Sequence, residues 1–366
     1  MVYKLIQYIL RLYLPVFFKK MEFRGLDNIP QDKPVIFAVN HQNAFLDGIL
    51  VALKQRRPVF FLTRSDVFKG RGIVKLFKIL NLVPIFRAQD GTGDITTRNY
   101  QTFKYCIREL EKRKPVLIFP EGESEPIHHL FDLKKGVARI AFEAEAKNNF
   151  KLGLHVVPVV INYENHFLAG KKVYVNYLKP ILISEYKNLY FENKFRAMNF
   201  FLKKLQHEMR ENMIHISGDY VKFKRRYWRG ILRQSRNDKE IIAAIKSIPY
   251  DTSNFSMVGH SWKQEKHKYN KPKPFLVRSF YFVICLPGFV LFSPTILITK
   301  LILIKVKDES FYLSIIALSW LLFGLAQTSI LSIYIWNYTD IYILIGFILF
   351  NFTIVFITLR NLNKPI

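Results

Sequence analysis

A histidine and a carboxylate near the amino end of the chain could together carry out proton transfer. His41 and Asp47 lie in the segment 39–48, VNHQNAFLDG, which directly follows an apolar run. A neutral imidazole can remove a proton from an alcohol near neutral pH, and an adjacent aspartate fixes its tautomer and stabilises the imidazolium. The pair therefore predicts a general base in which an aspartate orients the histidine, as in a catalytic triad but without the serine nucleophile. Such a pair is common by chance, so the hypothesis depends on the segments that accompany it.

Two further segments place polar residues at the ends of apolar, strand-like runs. Residues 83–87, VPIFR, deliver Arg87, and residues 116–124, VLIFPEGES, end in a turn. The order and spacing of the three blocks resemble the glycerolipid acyltransferase superfamily, whose hallmarks are an Asn-His-x-x-x-x-Asp block, an Arg-bearing block and a Phe-Pro-Glu-Gly block. Residues 156–162, with a central proline, resemble a fourth family strand. The resemblance covers roughly residues 20–185.

The resemblance implies a role for each polar residue of these blocks. His41 is expected to be the general base and Asp47 the group that orients it. An arginine can grip a phosphate with two parallel hydrogen bonds, and a glycine lets backbone amides approach an anion. Ser124 lacks the Gly-x-Ser-x-Gly elbow of a nucleophilic serine, so no acyl-enzyme is expected. The residues expected to bind the acceptor are Asn40, Arg87, Glu121, Gly122 and Ser124.

The first block departs from the usual family spacing. Five residues rather than four separate His41 from Asp47. On a regular helix this spacing turns the two side chains apart, so the extra residue must be absorbed in an irregular first turn. We expect that irregularity at Asn43 and Ala44. The spacing is similar to that of a family branch that acylates glycerol 3-phosphate or related acceptors.

The predicted activity is transfer of a fatty acyl chain from acyl-CoA or an acyl carrier protein to a hydroxyl of glycerol 3-phosphate or 1-acylglycerol 3-phosphate, in phospholipid synthesis. No cofactor is expected beyond this thioester co-substrate. No metal site or disulfide is predicted, because Cys106 and Cys285 lie in unrelated regions. Three alternatives stay open: acylation of another amphiphile such as an aminolipid or lipid A precursor, thioester hydrolysis, and a non-catalytic membrane scaffold.

The charge balance predicts an anionic partner. The net charge is +27, from 55 Lys and Arg against 28 Asp and Glu. Residues 279–299, 310–339 and 341–359 contain no charged side chain, and each is long enough to enter a bilayer. The expected partner is thus a lipid bilayer with anionic headgroups, not nucleic acid. The basic run 222–229 is expected either to bind those headgroups or to form a solvated helix face.

Apolar runs alternate with amphipathic stretches from residue 22 to about residue 180, which predicts an α/β domain with a mixed central sheet flanked by helices. We divide the chain into four parts. They are an interfacial amphipathic helix (1–20), the acyltransferase domain (21–185), a basic helical extension (186–275) and a membrane region (276–366). For the first helix, packing on the protein core is the alternative to lying in the membrane interface.

The distribution of Lys and Arg predicts the membrane topology. Three spanning blocks would invert the positive-inside rule. Residues 279–299 also contain Pro287, Gly288 and Pro294, which favour a re-entrant hairpin. We therefore expect two spans, at about 310–339 and 341–359, with the catalytic domain, Lys305 and the carboxyl terminus in the cytoplasm.

Overall fold

The computed structural model describes residues 2–68, 71–87, 94–215 and 289–337, together with four isolated positions between 342 and 350. The basic run 222–229 and the Pro287-Gly288 pair lie outside the described residues. So does almost all of the predicted span 341–359, and those expectations stay predictions.

The domain is built on one eight-stranded mixed sheet. Its strands are β1 (Lys20–Arg24), β2 (Val35–Val39), β3 (Phe60–Arg64), β4 (Leu82–Ile85), β5 (Val116–Ile118), β6 (His155–Tyr163), β7 (Lys172–Tyr177) and β8 (Ile181–Leu182). They are ordered β1-β7-β6-β2-β5-β3-β4, with β8 beside β6. Strands β6, β2, β5, β3 and β4 run parallel, so their carboxyl ends share one edge of the sheet. Open parallel sheets bind ligands at this edge.

Helices cover both faces of the sheet. They are α1 (Val2–Phe17), α2 (Ala44–Ala52), α3 (Arg71–Ile79), α4 (Ile95–Glu111), α5 (Gly136–Lys147), α6 (Lys187–Glu192), α7 (Lys194–Asn212), α8 (Ser293–Lys305), α9 (Tyr312–Ser319) and α10 (Leu325–Trp336). One apolar core joins the sheet to α4, α5 and α7. The second core lies on the other face and joins it to α1, α2, α8 and α9.

Helix α7 belongs to the domain core although it lies in the region expected to be a basic extension. Its residues Ala197, Phe201, Leu205 and Met209 are buried against α5 and the sheet. The helical pattern predicted for this stretch is confirmed. Packing of the domain therefore continues past residue 185 to the end of α7.

The described carboxyl-terminal part forms a helical hairpin, residues 289–337. Helix α8 is followed by a helical stretch from Glu309 to Trp336, which includes α9, a π-helical turn and α10. Contacts between the rings of Phe292 and Trp320 and between Thr295 and Gln327 hold the two arms together. The stretch 309–336 is long and apolar enough to cross a membrane, the one such helix among the described residues. Pro294 begins α8 and does not break it, because proline fits the first helical turn.

Helix α1 forms as predicted, but two of its polar side chains, Gln7 and Arg11, bond to the domain. Gln7 donates to the carbonyls of Ala52 and Gln55, and Arg11 donates to that of Leu53. The exposed side is apolar, with Leu5, Tyr8 and Leu12 about 60% exposed. Helix α1 thus packs on the core through one side, as the alternative expectation had it, and also presents an apolar side outward.

Candidate active site

The segment from His41 to Asp47 forms an irregular turn between β2 and α2. Asn43 has φ −141° and ψ 56°, and Ala44 has φ 36°, in the positive region that alanine rarely adopts. Helix α2 begins at Ala44. The extra residue of the first block is therefore absorbed at Asn43 and Ala44, where the sequence predicted the irregularity.

This turn brings the two predicted catalytic side chains together. His41 Nδ1 lies 3.0 Å from Asp47 Oδ2. The imidazole is 14% exposed, and the carboxylate is fully buried. With Nδ1 held by the aspartate, Nε2 is the ring nitrogen left to accept a proton, as in a histidine–aspartate relay.

Three further donors bind the carboxylate of Asp47. Its Oδ2 accepts from the backbone amides of Gln42 at 2.7 Å and Asn43 at 2.8 Å. Its Oδ1 accepts from the hydroxyl of Tyr163, on β6, at 2.7 Å. A buried carboxylate with this many donors keeps its orientation. The aspartate can therefore stabilise an imidazolium at His41.

The third block orients His41 from the opposite side. The ring of Phe119 stacks on the imidazole, with centroids 3.7 Å apart and planes 10° from parallel. The backbone amide of His41 donates to Glu121 at 2.7 Å, and its carbonyl accepts from the amide of Glu125 at 3.1 Å. Neither the backbone nor the ring of His41 is free to turn.

Glu121 is a buried carboxyl that receives two backbone hydrogen bonds. Its second oxygen accepts from the amide of Phe131 at 2.9 Å. The pKa of Glu121 is raised to about 8, mainly by burial; the two backbone amides oppose the rise, and the nearby charge of Asp47 adds to it. In this structure Glu121 joins the base-bearing turn to the loop that leads to α5. A contact between Glu121 and an acceptor stays a prediction.

The remaining polar residues of the three blocks also have structural partners. Asn40 is fully buried, and its amide both donates to and accepts from the backbone of Ile161, at 3.1 and 2.7 Å. Ser124 Oγ accepts from the amide of Ala44 at 3.1 Å. Gly122 adopts φ 77°, where a side chain would be strained. Asn40 and Ser124 thus position the catalytic turn, and the expected acceptor contacts of these three residues stay predictions.

Arg87 lies away from the His41 turn but at the same edge of the sheet. It follows β4, which is three strands from β2, so about 14 Å separates the two strand ends. An asparagine on α4, Asn99, fixes the preceding residue, Phe86, through both its amide and its carbonyl. The spacing leaves room for an extended acceptor between base and guanidinium.

A second guanidinium at this edge was not identified from the sequence. Arg64 ends β3, between Arg87 and the central strands, and forms ion pairs with Asp66 at 2.7 Å and with Asp308 of the hairpin at 3.5 Å. Its position at the end of a strand-like run was a usable signal. Without the strand order, however, no sequence pattern could place it beside the site.

Tyr163 and a histidine cluster were also missed. His166 Nε2 lies 3.1 Å from Gln42 Oε1, and the rings of His128 and His166 are 4.4 Å apart. Burial lowers the pKa of His128 to about 4, so this ring is neutral near neutral pH. These contacts support Gln42, the neighbour of the base. They depend on loops that are distant in sequence, and no local spacing could reveal them.

Comparison with known proteins identifies the part of the chain that carries this geometry. A family model described as Acyltransferase matches residues 20–162, which include β1 to β6 and all three blocks. Residues 20–162 thus match the acyltransferase family. The resemblance to the glycerolipid acyltransferase superfamily is thereby confirmed.

The chain is similar to several known proteins. It is 30% identical over 145 residues to the chloroplastic 1-acyl-sn-glycerol-3-phosphate acyltransferase of Arabidopsis thaliana, covering 39% of this chain and 36% of that protein. It is 28% identical over 146 residues to a 1-acyl-sn-glycerol-3-phosphate acyltransferase of Chlamydomonas reinhardtii, covering 39% of each. An uncharacterized acyltransferase of Schizosaccharomyces pombe is 23% identical over 279 residues, covering 53% of this chain and 41% of that protein.

The chain thus spans about two fifths of the length of the curated relatives it matches. Among solved structures, it is similar to the 1-acyl-sn-glycerophosphate acyltransferase PlsC of Thermotoga maritima. The TM-score is 0.40 and the identity 21%, covering 57% of this chain and 79% of that one.

Proposed function

We propose that the protein transfers a fatty acyl chain from a thioester, acyl-CoA or an acyl carrier protein, to a hydroxyl of a phosphate-bearing glycerolipid. The observation that carries the proposal is the contact between His41 Nδ1 and the buried Asp47 within an acyltransferase domain. The names of the Arabidopsis and Chlamydomonas relatives make 1-acylglycerol 3-phosphate the first acceptor to test, with glycerol 3-phosphate second.

His41 acts as a general base in this mechanism. Its Nε2 removes the hydroxyl proton as the acceptor oxygen attacks the thioester carbonyl, and Asp47 stabilises the imidazolium. The tetrahedral intermediate then expels the thiolate, and the imidazolium returns a proton to the sulfur. Positioned proton transfer of this kind contributes roughly 10²- to 10⁴-fold in rate. Ser124 is engaged with the catalytic turn, which agrees with a mechanism that has no acyl-enzyme.

The two guanidiniums suit an acceptor that carries a phosphate. Arg87 and Arg64 end adjacent parallel strands at the edge of the sheet that holds His41. A phosphate bound by Arg87 would place a glycerol backbone along the ends of β3 and β5, toward the base. Arginine is well suited to this task because its planar fork matches two phosphate oxygens.

One assay separates this function from its alternatives. Purified protein receives labelled acyl-CoA or acyl carrier protein together with 1-acylglycerol 3-phosphate, glycerol 3-phosphate, an aminolipid or a lipid A precursor, each in parallel. We expect label in the phosphate-bearing glycerolipid product. Release of fatty acid without an acceptor would instead establish a hydrolase. Label confined to the aminolipid or the lipid A precursor would show that the acceptor is not a phosphate-bearing glycerolipid. If the protein turned over none of the thioesters, the non-catalytic membrane scaffold would be the remaining alternative.

We also propose that the protein works as a multi-pass membrane protein with the catalytic domain on the cytoplasmic face. Three observations support this: the net charge of +27, the apolar outer side of α1, and the apolar outer surface of the hairpin, where Ile304 is 80% exposed. The turn of the hairpin lies at the catalytic edge, since Asp308 pairs with Arg64. The helical stretch that begins there is 28 residues long, or about 42 Å, enough to carry Asn337 across a bilayer.

Single cysteines test this topology. Cys106 and Cys285 are first replaced by serine, and a cysteine is then placed at Lys305, Asn337 or Lys364. Intact cells that make these variants are treated with a membrane-impermeant thiol reagent. We expect labelling at position 337 and none at 305 or 364. Labelling at 305 would contradict a cytoplasmic catalytic domain, because that residue lies at the hairpin turn.

A further inference from the structure

The catalytic turn lacks the support that usually stabilises the start of a helix. Asn43 occupies the cap position of α2, yet its side chain makes no capping hydrogen bond. The side-chain amide of Asn43 is buried, and among the described residues it makes no hydrogen bond of normal geometry. The next residue, Ala44, is strained at φ 36°. A turn of this kind keeps its shape only when its surroundings determine it.

Part of that support comes from a serine of the carboxyl-terminal hairpin. Ser314 Oγ donates to the carbonyl of Asn43 at 2.9 Å and accepts from the amide of Leu46 at 3.1 Å. The two groups flank Ala44 on either side. The hydroxyl therefore bridges the strained residue, while Ser124 binds the amide of Ala44 itself.

The position of Ser314 is fixed by its own surroundings. It is buried on α9, whose residues Leu313 and Ile316 share an apolar core with Leu46 of α2. The rings of Phe311 and Phe45 meet edge to face, with centroids 5.3 Å apart. The hydroxyl is thus presented to the turn by a packed element and not by a free loop.

We propose that Ser314 is a positioning residue for acyl transfer, which makes the carboxyl-terminal hairpin part of the catalytic apparatus. It acts through Asp47, because the turn that it bridges carries the Gln42 and Asn43 amides that bind Asp47 Oδ2. Loss of the bridge lets this turn relax and moves the carboxylate relative to His41. The proposal rests on the proposed function.

The kinetic test compares three purified full-length variants. Loss of a buried hydroxyl that serves two backbone groups is expected to lower kcat of Ser314→Ala about tenfold, with KM for both substrates within about twofold. Ser314→Thr keeps the hydroxyl and should recover most of kcat. Ser319→Ala makes the same chemical change at a buried residue of the same helix that has no bond to the turn, and it should stay within about twofold of the unaltered protein.

An Asp47→Asn background separates positioning from general stability. If Ser314 acts through Asp47, Ser314→Ala should cost little further activity once Asp47 is replaced. If the serine only stabilises the hairpin, the tenfold loss should persist in that background. Persistence of the loss, an equal loss in Ser319→Ala, or a kcat of Ser314→Ala above half of normal would each overturn the proposal.

Hydrogen exchange gives a result that does not depend on turnover. Amides of residues 42–46 should exchange at least about fivefold faster in Ser314→Ala than in the unaltered protein, while Ser319→Ala leaves them unchanged. Unchanged protection in Ser314→Ala would refute the bridge even if the enzyme is active. If the unaltered protein turned over no thioester, the proposed function would fail, and the exchange data would still decide whether Ser314 holds the turn.

Discussion

The guanidinium of Arg11 donates to the backbone carbonyl of Leu53 at 2.7 Å, so the amino-terminal helix caps the carboxyl end of the helix that carries Asp47. A cation at this end also opposes the negative end of the helix dipole. Helix α2 is thereby held at its far end by α1 and at its near end by the hairpin. The two holding elements also contact each other, through the hydroxyl of Tyr13 and the carbonyl of Ala317 at 2.8 Å.

Replacing Arg11 with methionine should lower the free energy of unfolding by about 1 kcal/mol, because methionine keeps the apolar stem and loses the charged donor. Denaturant titration in detergent measures the change. Lys4→Met, on the same helix and exposed, is the matched control and should change little. Equal effects of the two substitutions would mean that charge on α1, and not the cap on α2, determines stability.

His41→Ala should lower acyl transfer by about 10²- to 10⁴-fold while the protein stays folded, because it removes the imidazole that is positioned to accept the proton. Steady-state transfer of labelled acyl groups measures the loss, with melting in detergent as the check on folding. His207→Ala removes an exposed histidine of α7 and should retain full activity. A folded His41→Ala protein with a tenth of the normal rate would disprove the assignment of the base.

Tyr163→Phe should lower kcat about fivefold, because the fully buried carboxylate of Asp47 loses the hydroxyl that donates to its Oδ1. Tyr177→Phe is the matched control, since that buried hydroxyl donates to Val51 and accepts from Gln55 without touching Asp47. Both variants should lose stability, and only Tyr163→Phe should lose kcat. A similar kcat for both would show that the Tyr163 hydroxyl serves packing alone.

Glu121 should make stability depend on pH between about 4.5 and 8. Burial raises the pKa of its carboxyl from 4.5 to about 8, so the folded chain keeps a proton that the unfolded chain releases. Its contribution to stability is complete below pH 4.5 and is lost as the pH rises through 8.

Glu121→Gln cannot titrate and serves as the reference for that effect. The free energy of unfolding of the unaltered protein, minus that of Glu121→Gln, should fall steadily between pH 5 and pH 8 in denaturant titrations. A difference that rises with pH would mean that the two amide donors hold Glu121 as an anion.

Arg87→Lys should raise KM for a phosphate-bearing acceptor about tenfold and leave KM for the thioester nearly unchanged, because an ammonium keeps the charge and loses the bidentate fork. Initial rates with each substrate varied in turn give both constants. Arg139→Lys, on the exposed side of α5, is the control. Equal increases for both substrates, or none, would remove Arg87 from the phosphate site.

Much of the fold and the centre of the site could be predicted from the sequence because their signals are local. Apolar runs predicted β2 to β7, and the extra residue before Asp47 predicted an irregular turn at Asn43 and Ala44. Short β1 and β8 were missed, because a few residues of mixed polarity carry no clear period.

The partners of Asp47 and of its turn could not be predicted, because they come from distant parts of the chain. Tyr163 lies 116 residues from Asp47, and Ser314 lies 271 residues from Asn43. The facing direction of α1 was also not predictable. The polar residues Gln7 and Arg11 form a narrow stripe that, from composition alone, is expected to face water. It turns inward because the backbone carbonyls at the carboxyl end of α2 accept hydrogen bonds from both side chains.

The distance between Asn43 and Ser314 also determines when the active site matures during synthesis. A ribosome that has added Asn43 must still add 271 residues before the chain contains the bridging serine. At about 5–20 residues per second this takes roughly 15–50 s. The nascent domain therefore passes through an interval in which its sheet can form but its catalytic turn lacks the Ser314 bridge, and full activity is expected only after the hairpin has packed beside α2.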